Sequence, residues 1–165
     1  MASIPDETEP GRRIISAMEI ALEEASQAPA HGDVPIGAVL LSRDTVVASR
    51  HNERELRKDP TAHAEILALR DAAATSGSWR LQEMDLIATI EPCAMCAGAL
   101  LSARVRSLTY AAADPKAGAC GSLYNLCVDP RLNHQLTVTS GVLEERAAKL
   151  LAEFFSGLRV SNKDR

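Results

Sequence analysis

Apolar positions along the chain change their period several times, and each change marks an element. Between Arg12 and Ala28, the residues Ile14, Ile15, Met18, Ala21, Leu22 and Ala25 recur at helical spacing. This predicts a helix with one buried face, stopped by Pro29. Residues 34–41 are almost continuously apolar, the mark of a short strand buried on both faces. Ser42-Arg43-Asp44-Thr45 reads as a turn and residues 46–49 as the hairpin partner. A charged loop, 53–61, leads to a helix over about 62–74, which Thr75-Ser76-Gly77-Ser78 ends. The pattern then predicts a strand over 85–90, a helix from Pro92 to about Ala103, a strand over 107–111, a short strand over 136–138 and a helix over 143–158.

The order is helix, strand, strand, helix, strand, helix, strand, strand, helix. It predicts an α/β fold, a three-layer α/β/α domain around a five-stranded mixed sheet. The chain has 165 residues, enough for one domain with a real core, and no internal repeat. Residues 1–10, punctuated by Pro5 and Pro10, are expected to be a flexible leader; 11–158 form the single domain; 159–165 form a basic flexible tail. The first residues are acidic and lack the apolar core of a signal peptide. No apolar run approaches the roughly 20 residues of a membrane span.

Composition adds two constraints. The net charge of -4 argues against broad, nonspecific nucleic-acid binding but leaves a local basic surface open. Arg54, Arg57, Lys58, Arg104, Arg106, Lys116, Arg131, Lys149, Arg159, Lys163 and Arg165 are candidates for one. The four cysteines have no spacing that suggests a disulfide scaffold, and thiols kept reduced for metal binding suit the cytoplasm.

The chemistry lies in two short segments, His63-Ala64-Glu65 and Pro92-Cys93-Ala94-Met95-Cys96. If Pro92 opens a helix, Cys93 and Cys96 share one face of its first turn, where the helix dipole favours thiolates. Asp59 or Thr61 is placed to cap the other helix. One histidine and two cysteines make three zinc ligands, which leaves a fourth position for water, as in catalytic rather than structural sites. Glu65 is then the natural proton carrier. C-x-x-C alone is a weak signal, and the neighbouring H-A-E gives it meaning.

Several residues have two readings. Asn52 offers a donor and an acceptor for a base edge, or caps its own turn. Gly37 allows a ligand close to the backbone, or serves packing. Glu91 orients a ligand or a loop, or caps backbone. His51 is expected at the surface or supporting the site, not as a ligand. Trp79 is expected to anchor a loop in the core, with substrate recognition as the alternative, and Phe154-Phe155 is expected in the core. Cys120 and Cys127 read as small buried fillers, and the 114–123 loop is placed to rim a pocket.

The pair H-x-E and P-C-x-x-C, about 30 residues apart, resembles the signature of the zinc nucleobase deaminases. Several further segments extend the likeness: Val34-Pro35-Ile36-Gly37-Ala38-Val39, Asn52, Asp59-Pro60-Thr61-Ala62, Asp114-Pro115-Lys116-Ala117-Gly118, Gly121-Ser122-Leu123, Leu132-Asn133-His134 and Phe154-Phe155. With these, the chain resembles the bacterial tRNA-specific adenosine deaminases over residues 12–159. The resemblance implies a cytidine-deaminase-like fold and hydrolysis of the wobble adenosine of a tRNA anticodon to inosine. It implies one zinc per subunit on His63, Cys93 and Cys96, Glu65 as proton shuttle, and Asn52, the Ala64 backbone, Val34 and Pro35 around the flipped base. Lys116, Phe155 and Arg159 would touch the RNA, and the enzyme would be a homodimer. The alternative within the same zinc core is a free-base or nucleoside deaminase, most plausibly for guanine. Cys120 stands where the family commonly has alanine.

Overall fold

The computed structural model describes residues 9–163 of the chain. Five strands, β1 (Gly37–Ser42), β2 (Thr45–His51), β3 (Met84–Ile90), β4 (Ser107–Ala112) and β5 (Thr137–Ser140), form one sheet in the order β2-β1-β3-β4-β5. Strand β1 is antiparallel to both neighbours, while β3–β4 and β4–β5 are parallel. Strands β2 and β3 therefore run the same way on either side of β1. The carboxyl ends of β2, β3, β4 and β5 and the amino end of β1 all reach one edge of the sheet.

Alternation along the strands builds two cores. Leu40, Leu86 and Leu108 face helices α3 (Ala64–Ser76) and α4 (Ala94–Ser102), packing with Ala68, Leu69 and Leu100. Val39, Leu41 and Ile87 face the other way, toward Met18 and Leu22 of α1 (Glu9–Ala25) and Ala147 of α5 (Glu144–Lys163). Side chains of period two fill both sides of a central sheet, the expected three layers. Gly37 serves packing: a Cβ there would lie 1.9 Å from the Ala21 carbonyl oxygen, because α1 crosses the start of β1.

The structure corrects several expectations. Helix α1 already includes Glu9 and Pro10 from the expected leader and ends at Ala25; residues 1–8 lie outside the described residues. Pro29 sits instead in a separate 3₁₀ turn, Ala28–His31, at a position where a missing N–H costs nothing. Residues 34–36 are loop, and β1 starts at Gly37. Helix α5 runs on to Lys163, so residues 159–163 continue it rather than forming a tail, and 164–165 lie outside the described residues. A four-residue helix, α2 (Arg54–Arg57), interrupts the charged loop. Trp79 is 58% exposed, with the Arg80 guanidinium 4.8 Å from its ring centre, because none of the described residues covers the apolar groove between α3 and α4 beside it. Phe155 is also exposed, being turned about 100° around the helix from the half-buried Phe154. Cys120 and Cys127 are buried as expected and touch through their sulfurs, 3.3 Å apart.

Asp85 ties the sheet's far edge to α1. It accepts hydrogen bonds from Arg106 Nε (2.9 Å) and NH2 (2.6 Å), Ser107 Oγ (2.6 Å) and Arg13 NH2 (2.9 Å). Burial raises its carboxyl pKa, but the bonds from Arg106, Ser107 and Arg13 outweigh burial and hold it below the usual range. A carboxylate depressed in the fold stabilises above its unfolded pKa of about 3.9, and that contribution is lost as pH falls through the lower folded value. Asp85→Asn is expected to cost about 2 kcal/mol at neutral pH in urea unfolding. The gap to the wild type should close as the pH drops from about 5 toward 3.

Candidate active site and metal centre

The sheet edge that collects the strand ends also collects the two motif segments. After β2 the chain passes through Asn52 and the 53–61 loop to α3, whose N-cap is His63. After β3 it passes through Glu91 and Pro92 to α4, whose N-cap is Cys93. Both cap residues have extended backbone and neither spends its side chain on capping, so both side chains face the space between the two helix starts. Both helices thus start at least two positions later than expected. Pro92 precedes the N-cap rather than opening the helix. Asp59 accepts from Thr61 N (2.8 Å) and Thr61 Oγ1 (2.7 Å), shaping the approach to His63 instead.

His63 Nδ1 lies 3.6 Å from Cys96 Sγ and 3.8 Å from Cys93 Sγ. With zinc–nitrogen and zinc–sulfur bonds of about 2.0–2.1 and 2.3 Å, a tetrahedral site needs a nitrogen–sulfur edge of about 3.6 Å. The three donors therefore already stand at metal-binding separations, and all lie within 4.8 Å of one another. Among the described residues, no other group of three His, Cys, Asp or Glu side chains gathers in this way. Cys93 is held to about 3 by hydrogen bonds from Cys96 and His63, while the neighbouring Cys93 and burial push the Cys96 thiol up. Two adjacent thiols share one negative charge unless a cation joins them. The His63 imidazole is raised by its bond to Cys93, partly offset by burial.

Glu65 lies two residues past His63, on the first turn of α3, and is 2% exposed. Burial raises its pKa, and the nearby His63 works against that rise. Its Oε2 has no hydrogen-bond partner. A buried carboxyl oxygen left unpaired beside a donor cluster is costly unless a ligand or water meets it.

Asn52 does not cap its own turn; its side-chain bonds reach 12 and 18 residues away. It is buried; its Oδ1 accepts from Ala64 N (3.1 Å), the first N–H of α3, and its Nδ2 donates to Val34 O (3.3 Å). One Nδ2 hydrogen and one Oδ1 lone pair remain for a ligand. The same two bonds draw Val34, half-buried, and Pro35, buried, to this edge. Lys116 is exposed on the 114–122 loop, which joins the ligand segment by a Cys93–Gly118 bridge. Phe155 and Arg159 are exposed on α5, about 17 and 23 Å along its axis from the end that follows β5. No bond links them to the cluster, and Arg159 turns back to Ser156 Oγ at 3.1 Å. The remaining histidines stay out as well: His31 faces Asp33 (2.7 Å), His51 faces Glu24 (2.8 Å) and His134 faces Val105 O (2.7 Å).

Sequence reasoning passed over Asp33 and Glu53. Asp33 accepts from Glu55 N (2.9 Å) and Leu56 N (3.2 Å), fixing the start of α2. Glu53, buried, accepts from Arg50 (3.0 Å) and Arg57. Asp after Gly32 is a cap signal, but its partners lie 22 and 23 residues away.

The chain matches the MafB19-like deaminase family over residues 15–159. It is 45% identical over 146 residues to a tRNA-specific adenosine deaminase of Bacillus subtilis, covering 88% of this chain and 91% of the relative. It is 44% identical over 147 residues to the Haemophilus influenzae enzyme of that name, covering 88% and 85%. A solved structure from work on A-to-I editing by tRNA:A34 deaminases superposes with a TM-score of 0.80 at 43% identity, over 82% of this chain and 99% of that one. A guanine deaminase from Nitrosomonas europaea superposes with a TM-score of 0.74 at 29% identity, over 85% and 83%. Fold, donor cluster and sequence agree: the chain belongs to the MafB19-like family of zinc deaminases, close to the bacterial tRNA-specific adenosine deaminases.

Proposed function

We propose that this protein hydrolyses adenosine to inosine, releasing ammonia, at the wobble position of a tRNA anticodon loop. The observation that carries the reading is the buried Glu65 carboxyl, one oxygen of it unpaired, beside His63, Cys93 and Cys96. Pure metal binding has no use for that group, whereas a hydrolytic deaminase needs a proton carrier there. The higher identity to the tRNA enzymes, 45% against 29% for the guanine deaminase, favours the wobble adenosine over free guanine.

His63, Cys93 and Cys96 hold one zinc per subunit. When bound, zinc supplies a water that ionises near neutral pH. Glu65, its pKa raised by burial, would take the two protons of the attacking water in turn, giving one to the ring nitrogen beside the reacting carbon and the other to the departing amino nitrogen, which leaves as ammonia while the water oxygen stays on the base. Asn52 uses its spare donor and acceptor on the base edge, the Ala64 backbone helps seat it, and Val34 and Pro35 wall the pocket. The base must leave its stack to enter, which an unpaired loop makes cheap. Lys116, Phe155 and Arg159 contact the RNA outside the pocket.

One deaminase domain carries the activity, in a cytoplasmic homodimer. Four free cysteines suit a reducing compartment. The apolar groove lined by Ile66, Leu69, Ala73, Trp79 and Ala99 is a surface of the kind a second subunit covers. No helix among the described residues is long and apolar enough to cross a membrane.

The test is nucleoside mass spectrometry after incubating zinc-loaded protein with an anticodon stem-loop carrying a wobble adenosine, beside free guanine, adenosine and cytidine. Inosine from the stem-loop with little turnover of the free compounds is expected. Guanine turnover with an untouched stem-loop would overturn the substrate. Glu65→Gln is expected to retain one zinc per chain by metal analysis and to lose turnover by about a thousandfold. Cys96→Ser is expected to lose both zinc and activity, and removing the metal from wild-type protein with a chelator should lower its Tm until zinc is restored.

A further inference from the structure

Four donors of the 114–122 segment converge on one carboxylate. Glu91, 1% exposed, follows β3 directly. Its Oε1 accepts from Cys120 N (3.0 Å) and Ser122 N (2.9 Å); its Oε2 accepts from Asp114 N (3.0 Å) and Ser122 Oγ. Those bonds occupy the acceptor positions of an ionised carboxylate, so Glu91 has nothing left for a ligand histidine or a substrate.

The loop is also stitched to the ligand segment. Gly118 pairs with Cys93, Ala119 N donates to Pro92 O at 2.9 Å, and the Cys120 thiol points to the same carbonyl at 3.7 Å. Gly118 is fitted against the clamp, since a Cβ there would lie 2.3 Å from Glu91 Cδ and 2.4 Å from its Oε2. On its outer side the loop exposes Lys116 and, just beyond it, Tyr124 at 64%. Tyr124 is held back to the same glycine, its N–H 3.4 Å from Gly118 O.

We infer that Glu91 is a positioning residue for substrate binding: it locks the 114–122 loop onto the strand end that carries Cys93. The Lys116 cation and the Tyr124 ring are thereby held at a fixed offset from the reacting centre. The ring presents a face on which an unpaired base next to the target stacks, and the cation meets a phosphate. The inference rests on the reading that the substrate is an RNA loop. A free base would be enclosed by the pocket and would not reach Lys116 or Tyr124.

Two substitutions strain the clamp from opposite sides. Glu91→Gln keeps the shape but turns an NH2 group toward loop donors. Gly118→Ala drives a methyl group into Glu91 and leaves the carboxylate intact. Each variant is assayed for zinc per chain, for kcat and KM on the anticodon stem-loop, and for hydrogen exchange of the loop amides by mass spectrometry. Both should keep full zinc, raise KM about tenfold with kcat within about twofold, and exchange faster across 114–122 than in the rest of the chain. Tyr124→Ala should raise KM without changing loop exchange. Loss of zinc, a fall in kcat as large as the rise in KM, or unchanged loop exchange in Glu91→Gln would overturn the inference. A wild-type protein that leaves the stem-loop untouched overturns the functional reading, whereas an active wild type with an unchanged variant KM overturns only the role of Glu91.

Discussion

One antiparallel strand between two parallel ones sets the rest of this structure. With β1 running against both β2 and β3, two strand-to-helix connections open on the same edge of the sheet. Each connection ends in a helix whose first residue is a metal donor, so His63 and Cys93 meet although they are 30 residues apart. The two helix dipoles point their positive ends into the same space, which suits thiolates and any developing negative charge. The remaining parallel strands send their ends there too, and this is why the 114–122 loop reaches the site.

The electrostatic arrangement follows from that crowding. A free chain of this composition would not hold two thiols, an imidazole and a buried carboxyl together; mutual repulsion and desolvation oppose it. The fold accepts the cost because hydrophobic packing on both sheet faces fixes the helices independently of the site. Leu40, Leu86 and Leu108 of the sheet are fully buried behind α3 and α4, against Leu100 of α4. The strain falls on Glu65, whose carboxyl is left with an unpaired oxygen and a raised pKa. Burial thus favours the protonated form of this carboxyl more than it would be favoured in water, as suits a group that takes up and gives back a proton.

What could be read from the chain divides along physical lines. The strands, the two motif helices and the ligand set were legible because they depend on local period and on residue chemistry at short spacing. The caps were not: Asn52 caps α3 from twelve positions away, and Asp33 caps α2 from 22. Trp79 and Phe155 were expected in the core because large aromatics usually are, yet both are exposed, and exposure depends on which elements happen to cover a face. Gly37 read equally as room for a ligand or for packing, and only the fold shows that it is α1 that approaches it, as Glu91 approaches Gly118. None of these long-range pairings leaves a periodic trace in the sequence.

Chemistry and recognition are therefore carried by different kinds of structure. The donors and Glu65 stand on the first turns of helices buried against the sheet, where a shift of an ångström would be felt at once. The groups proposed to meet RNA stand on a loop and on the far part of α5, where residues can change without repacking the core. A net charge of -4 does not oppose that proposal, because a phosphate would feel the local field of exposed groups such as Lys116 and Arg159 rather than the sum. The same division lets one zinc core serve wobble adenosine in one relative and guanine in another. Glu91 stands where the two kinds of structure join: it is buried with the chemistry, but every bond its carboxylate makes is spent on the loop.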